Sequence, residues 1–574
     1  SLRGAYAIAV FFGLLARSPR AFADYPIASH RYLADPGALV SNGRVYLYNS
    51  NDDDNPLAGD YQMKSIVCVS SSDLKNWTDH GEVLRVPANA AWANHSWAPA
   101  AVERNGTTYL YFGNNATGIG VAASSSPTGA FSDARGSALV DGSTPGASGT
   151  NSWLFDPSVF VDDDGQAYLT FGGNGDDNAR IIRLNDDMIS VSGSAIALSV
   201  PSYFEASWLF KQNGLYYFTY STSPAAGQRI DYLTSTSPTS GFSYRGVAAE
   251  QPPANGNNNH HSIFQFNGSW YHAYHNRVVA TQAGVPTTYR RNLGLDRLTY
   301  NPDGTIQQVI YTTDGVPQLE SLNPYARVEA ETTNAQSGIE TEPCSAGGMN
   351  VTDLQDGDWT KVRGVNFAST GAQSFSANVA SSTDGGSIAL RLDSPGGTLI
   401  GTCAVPSTGG PQIWTTATCS VTGATGVHDL YLSFSGVSTP LFNVDYWQFT
   451  PSVALGEPNG EAGTTGTVGS AGASDANVAE NGGGANAGGG SAGSEGALET
   501  DGDRAAVMAG ARDRAGSGCV LGVRPKSTGA PTALLLAMLI TLRSRRRPRA
   551  PTTTAGARAI EPSWRSAGHQ PRSS

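Results

Sequence analysis

A chain of 574 residues is too long for one ordinary domain, and its length suggests roughly three or four. With 68 glycines, 15% charged and 9% aromatic residues, its composition fits turn-rich β structure better than helical bundles. The net charge of −12 hides a split: from Arg504 onward 13 Lys/Arg face two acids, so the remainder carries −23, and such an acidic body argues against a nucleic-acid partner.

Residues 1–23 read as a secretion signal, with Arg3, an apolar stretch from Ala5 to Leu15, and Ala21-Phe22-Ala23 ahead of Asp24. Export, and with it a secreted or surface-held protein, permits disulfides. Cys403 and Cys419 flank an expected hairpin and are the favoured pair, with Cys344 as competitor, while Cys68 reads as a buried free thiol. No Cys/His spacing points to zinc.

Residues 24–322 carry a phrase that recurs five times: Asn42-Gly43-Arg44-Val45-Tyr46, Asn105-Gly106-Thr107-Thr108-Tyr109, Asp164-Gly165-Gln166-Ala167-Tyr168, Asn213-Gly214-Leu215-Tyr216-Tyr217 and Asn267-Gly268-Ser269-Trp270-Tyr271. The glycines are 63, 59, 49 and 54 residues apart. Asn-Gly or Asp-Gly between apolar runs signals a tight hairpin, because primed turns need φ > 0. Further strands are expected at 66–70, 120–123, 181–184 and 230–234, and the similar stretches 124–131 and 235–242 fit equivalent outer loops. With no amphipathic helix of useful length, the pattern predicts an all-β fold, a five-bladed β-propeller with one hairpin phrase per blade.

Residues 326–450 lack the phrase but show short alternating strands at 359–362, 373–379, 387–392, 428–434 and 442–449, which predicts a second domain, a β-sandwich. Residues 452–518 are rich in Gly, Ala, Ser and Glu and read as a flexible tether. Residues 519–549 hold Gly518-Cys519 at their start, an apolar run at 530–542 and the cluster Arg543-Ser544-Arg545-Arg546-Arg547-Pro548-Arg549; the tail at 550–574 carries no structural signal. That run is short for a spanning helix, and the arginines mark a cytoplasmic side.

Eight or nine residues before each repeat glycine stand Asp35, Trp97, Asp156, Glu205 and His260. If the strand leading into each hairpin is innermost, the five side chains gather on one axis. Glycoside hydrolysis needs one carboxyl to protonate the leaving oxygen and another to activate water or attack the sugar. An isolated Asp-Pro is usually a turn residue, but three carboxyls at matched repeat positions point to a sugar-cleaving site. The aromatic flanks in Tyr203-Phe204-Glu205-Ala206-Ser207 should raise the pKa of Glu205, and Trp97 can stack on a sugar face. His260 is open between a metal ligand, a substrate contact and a core group.

Ala34-Asp35-Pro36, Phe155-Asp156-Pro157-Ser158-Val159-Phe160 with Asp163-Asp164-Gly165, and Tyr203-Phe204-Glu205-Ala206-Ser207 resemble glycoside hydrolase family 43 across residues 30–320. The resemblance implies a five-bladed propeller and single-displacement inversion without an organic cofactor. Asp35 would be the general base, Glu205 the general acid and Asp156 the carboxylate that tunes it, with base and acid about 6.5–9.5 Å apart. It also implies substrate contacts from Phe155 and from Arg291, with Arg290 as rival, and a calcium ion on the axis held by His260. Trp92-Ala93-Asn94-His95-Ser96-Trp97-Ala98-Pro99 and Leu184-Asn185-Asp186-Asp187-Met188 resemble members acting on arabinoxylan, which are α-L-arabinofuranosidases and β-xylosidases. Arabinan-active hydrolysis and a non-catalytic sugar-binding surface protein are the alternatives.

Val328-Glu329-Ala330-Glu331, Gly357-Asp358-Trp359, Ile413-Trp414-Thr415 and Phe442-Asn443-Val444-Asp445-Tyr446-Trp447 resemble carbohydrate-binding module family 6. By that match Trp359 and Trp414 sandwich a sugar ring, Asn443 hydrogen-bonds it, and Glu329, Glu331 and Asp445 suit a structural calcium. The C-terminal Gly-Cys, apolar run and arginine cluster resemble a myxobacterial-type sorting segment, implying surface attachment at Cys519 and transient membrane association. The expected partner is a hemicellulose such as arabinoxylan.

Overall fold

The computed structural model describes residues 26–56 and 59–452. The expected signal, tether and sorting segments therefore lie outside the described residues. The fold is all-β, and the first part consists of five successive antiparallel sheets.

Each sheet is a meander of four neighbouring strands. The first uses Leu33–Ser41, Arg44–Asn51, Ser65–Ser71 and Trp77–Arg85, and the second Trp97–Arg104, Thr107–Gly113, Gly118–Ser124 and Ser132–Asp133. The third uses Ser158–Val161, Ala167–Phe171, Ala179–Leu184 and Val191–Leu198, and the fourth Tyr203–Gln212, Leu215–Thr222, Ile230–Ser235 and Ser243–Ala249. The fifth comprises His261–Phe266, Ser269–Asn276, Asn292–Tyr300 and Ile306–Gln307. The leading strand of each sheet touches that of the next, and the fifth touches the first.

Four of the five repeat phrases form two-residue hairpins. Asn42 and Gly43 have φ of 48° and 72°, and the pairs at 105–106, 213–214 and 267–268 are likewise left-handed, as a type I′ turn requires. The Asp164-Gly165 phrase differs. Only Gly165 is left-handed there, and a longer turn runs from Asp162 to Gln166, closed by the Asp162 N–H to Gln166 carbonyl bond at 3.0 Å.

Apolar side chains from adjacent sheets interleave. Tyr111 and Ile119 of the second sheet, for example, share a cluster with Leu169 and Phe171 of the third. Two histidines are buried at the fourth and fifth sheets: the His261 and His272 ring centroids are 5.5 Å apart, and His261 Nε2 lies 2.7 Å from Thr219 Oγ1. Burial pushes the pKa of His272 down to about 3 and that of His261 well below its ordinary value of 6.5. As pH falls below 6.5 the unfolded chain takes up protons that these folded imidazoles refuse. Stability should therefore drop between pH 6.5 and 3 by up to about 1.4 kcal/mol per pH unit for each ring. Urea titrations of the wild type and a His272→Phe variant check this; equal acid slopes would exclude the pair as the cause.

The chain from residue 328 builds two further sheets. One orders the strands Ala335–Ser337, Trp359–Asn366, Val427–Ser435, Gly386–Leu392 and Thr398–Val405. The other orders Glu340–Pro343, Met349–Thr352, Asn443–Pro451, Ala372–Ser381 and Gly410–Ser420, with Val328–Glu329 also paired to Asn443–Pro451. Both contribute to one core that includes Val362 and Leu430 from the first and Phe375 and Trp447 from the second. Cys403 and Cys419 are disulfide-bonded, but their strands belong to different sheets and do not form the expected hairpin. Cys344 and Cys68 are free and buried.

This part is joined to the first sheet by main-chain pairing. Thr332 and Thr333 pair with Thr78 and Trp77, adding a fifth strand to the edge of that sheet. Buried polar contacts flank the seam. Asp79 accepts from His30 Nε2 at 2.9 Å, Arg31 Nε at 2.6 Å and Thr341 Oγ1 at 2.8 Å, while Asn76 exchanges two hydrogen bonds with the Arg363 backbone.

Candidate active site

A backbone kink recurs where the chain enters the leading strands. Asp35 and Asp156 adopt φ of 53° and 49°, and Ala98 and Ala206, each following a position of interest, adopt 44° and 59°. A non-glycine residue in this region carries about 1–3 kcal/mol of strain and survives only where its surroundings enforce it. Here register shifts at Ala34/Gly37, Trp97/Ala100 and Glu205/Trp208 break the ladder locally, and pairing resumes immediately beyond. Gly37 is required for a second reason: a Cβ there would collide with the Pro99 carbonyl of the next sheet.

The kinks of the first four sheets, and the entry to the fifth, bring one side chain per sheet to a shared space. Asp35, Trp97, Asp156, Glu205 and His260 all line a cavity of about 500 Å³, together with Arg291 and Phe155. The three carboxyl side chains are buried, with residue exposures of 4%, 5% and 7% for Asp35, Asp156 and Glu205.

Their environments differ. Burial alone would raise Asp35, but Arg291, His275 and His260 outweigh it and hold the carboxyl far below the usual range. Arg291 Nη1 lies 2.6 Å from Asp35 Oδ1. His275 Nδ1 lies 3.2 Å from Asp35 Oδ1 and 3.3 Å from the Asp35 backbone nitrogen, and its Nε2 lies 3.1 Å from the Asn258 carbonyl. Glu205 is pushed well above its ordinary value by burial first, then by Asp156 and Asp35. Burial and the Asp35 charge raise Asp156 too, opposed by the Ala206 N–H, which donates to Asp156 Oδ2 at 3.1 Å. Glu205 Oε1 is buried without a hydrogen-bond partner, so nothing there compensates a charge on it. Trp97 Nε1 is also buried without a partner, a donor left for a ligand, and its ring stands 5.3 Å from His95.

Of the two candidate arginines, Arg290 is occupied by the carbonyls of Asp52 and Asn55, at 2.6 and 2.7 Å, and only Arg291 reaches the cavity. Sequence reasoning missed Tyr61 and Met63, Trp153, Gln228 and Asn257-Asn258, which reach the wall from outside the named strands, and Phe204, at the start of the strand Tyr203–Gln212. Trp153 is held edge-on between Phe155 and Phe204, with centroid separations of 5.3 and 5.4 Å. These residues follow no repeat spacing; the only signal was aromatic residues beside the axial positions.

Among the described residues no three His, Cys, Asp or Glu side chains converge as a metal-holding group. His260 sits between carboxylates, 3.7 Å from Asp35 Oδ1 and 3.6 Å from Asp156 Oδ2, and burial pushes its pKa down to about 4 against the pull of Asp35. Glu329 turns outward onto Arg327, with two contacts of 2.8 Å, leaving the other two of its expected trio behind. Glu331 Oε2 and Asp445 Oδ1 are buried without a hydrogen-bond partner, although Arg327 Nη2 stands 3.5 Å from the latter.

Trp359 and Trp414 stand on different sheets; Trp359 packs 5.4 Å from Tyr431, and Trp414 donates from Nε1 to Ser345 Oγ at 2.9 Å. Asn443 is buried and its amide is already used, donating to Glu342 Oε1 at 2.7 Å and the Pro411 carbonyl at 2.8 Å and accepting from Thr352 Oγ1 at 2.9 Å.

Residues 23–306 match the glycosyl hydrolases family 43, and residues 329–451 match the carbohydrate binding module (family 6). The chain is 44% identical over 476 residues to an arabinoxylan arabinofuranohydrolase of Bacillus subtilis (strain 168), covering 74% of this chain and 92% of that protein. It is 42% identical over 475 residues to an arabinoxylan arabinofuranohydrolase of Paenibacillus polymyxa, covering 74% of each. A crystal structure of a family 43 arabinoxylan arabinofuranohydrolase from Bacillus subtilis in complex with cellotetraose is similar with a TM-score of 0.71 at 42% identity, covering 75% of this chain and 98% of that one. With its carboxylates gathered at one cavity and these likenesses spanning both parts, the chain belongs to glycosyl hydrolase family 43 and is a glycosidase carrying a family 6 carbohydrate-binding module.

Proposed function

We propose that the cavity removes α-L-arabinofuranosyl groups from arabinoxylan by single-displacement hydrolysis with inversion. The observation that carries this is the opposed setting of two buried carboxyls at one cavity, Asp35 held low beside Arg291 and Glu205 pushed high with no partner on Oε1. Asp35 takes a proton from the water that attacks the anomeric carbon, while Glu205 gives its proton to the departing xylose oxygen. Asp156 raises the pKa of Glu205 and, through the Ala206 N–H, fixes the start of the strand Tyr203–Gln212 that carries it. Trp97 Nε1 and the Trp153–Phe155–Phe204 wall offer a hydrogen bond and apolar ring faces to the sugars.

The closed run of contacts between leading strands supports a five-bladed propeller over residues 24–322, and the shared core supports a sandwich over 326–450. Trp414 is the favoured sugar contact in that module. Residues 1–23 would direct secretion, with 519–549 attaching the protein to the cell surface; tracking a Cys519→Ser variant between cell and medium tests this.

Product analysis on arabinoxylan is the decisive experiment. NMR of the first turnovers should show arabinose released as the β-anomer. Xylose in its place would assign β-xylosidase action, and arabinose from arabinan alone would assign an arabinan-active enzyme. No product from these or from aryl glycosides, with sugar binding intact, would leave a binding protein.

Calcium fits the module at Glu331 and Asp445, because two partnerless buried carboxylate oxygens are hard donors that a cation would satisfy. Such an ion contributes stability alone. At a hundredfold excess over its Kd, calcium should add about 2.7 kcal/mol, read as a higher Tm that a chelator reverses. An unchanged Tm would exclude it.

A further inference from the structure

We infer that Asp52, which lies behind the cavity wall, is a positioning residue that holds the Arg291 guanidinium so that it meets the base Asp35 through one nitrogen and one oxygen only. The inference rests on the assignment of Asp35 as the base.

Asp52 is fully buried and begins the short turn Asp52–Asp54 that follows the second strand of the first sheet. It takes the whole side edge of the guanidinium: Arg291 Nε donates to Oδ2 and Nη2 to Oδ1, both at 2.8 Å, and the Arg291 backbone N–H adds a third bond to Oδ2 at 2.8 Å. Asn55 Nδ2 steadies Oδ1 at 3.0 Å. Nη2 also faces Met63 Sδ at 3.0 Å, and the guanidinium lies 4.9 Å from the centre of the Tyr61 ring. Only Nη1 remains for Asp35, and it contacts Oδ1 at 2.6 Å.

This matters because arginine prefers to grip a carboxylate with two parallel bonds. An Arg291 released from Asp52 would pair with both oxygens of Asp35 and neutralise the group meant to accept a proton. With Asp52 in place, one guanidinium is shared by two carboxylates, so the cluster keeps a negative charge. Among the described residues no hydrogen bond is made to Asp35 Oδ2, which leaves that oxygen for the attacking water.

The test compares Asp52→Asn, Arg291→Lys and the double variant on arabinoxylan, with Asp35→Asn alongside. Asp52→Asn should lower kcat about 10²-fold with KM nearly unchanged, as expected for a misplaced base. Arg291→Lys, which cannot span the two carboxylates as a fork, should lose a similar factor, and the double variant should lose little more than either. Should Asp52→Asn fail to fold, Asp52→Glu takes its place in the same cycle; it keeps the charge but displaces the guanidinium. Retained kcat, a loss confined to KM, or independent multiplying losses would each overturn the positioning role. Full activity in Asp35→Asn would instead overturn the assignment of the base.

Discussion

Glu205→Gln should lower the release of arabinose from arabinoxylan by about 10³-fold while polysaccharide binding persists. The amide keeps the size of the side chain and loses the transferable proton. Because the departing xylose oxygen is a poor leaving group, its cleavage depends fully on that proton. An aryl arabinofuranoside, whose phenolate leaves readily, should lose much less, and that contrast separates a missing acid from a damaged pocket. The alkaline limb of the pH–rate profile should also disappear, because it reports deprotonation of Glu205, whose pKa burial and Asp156 hold high. Equal losses on both substrates, or a preserved alkaline limb, would assign the proton donor elsewhere.

A chain that stops at residue 322 should be poorly soluble and markedly less stable, and this is the second large effect. The seam is no linker contact. Removing the C-terminal part strips Thr332 and Thr333 from the strand Trp77–Arg85 and leaves it as a bare edge. It also takes Thr341 from Asp79 and the Arg363 backbone from Asn76. A bare edge strand invites pairing with other molecules. A loss of a few kcal/mol at this size corresponds to a fall in Tm of roughly 5–10 °C. Calorimetry and light scattering on the truncated protein check both. A soluble, equally stable and fully active fragment would show that the seam contributes nothing.

Much of the site was legible because two local rules coincide. Asn-Gly turns must be left-handed, so each repeat announced its hairpin, and counting back from the glycine reached the residue aimed at the cavity. What escaped was whatever depends on loops or on partners distant in sequence. The acidic run after Asn51 was visible as composition, yet nothing in it says that Asp52 meets Arg291, 239 positions away. The C-terminal part was harder to read, because most consecutive strands there fall in different sheets. Gly410–Ser420 is largely exposed and shows no apolar alternation, so it was missed as a strand, and with it the placement of Trp414 on a different sheet from Trp359.

The recurring left-handed kink has an evolutionary consequence. At Asp35 and Asp156 it falls on the axial residue, and at Ala98 and Ala206 one position later, yet the directed side chains are Asp, Trp, Asp and Glu. Direction is thus a property of the main chain and chemistry a property of the residue placed on it. A single substitution can change what a position does without changing where it points. A lineage built on such a ring can try new substrates one side chain at a time, with the geometry inherited intact.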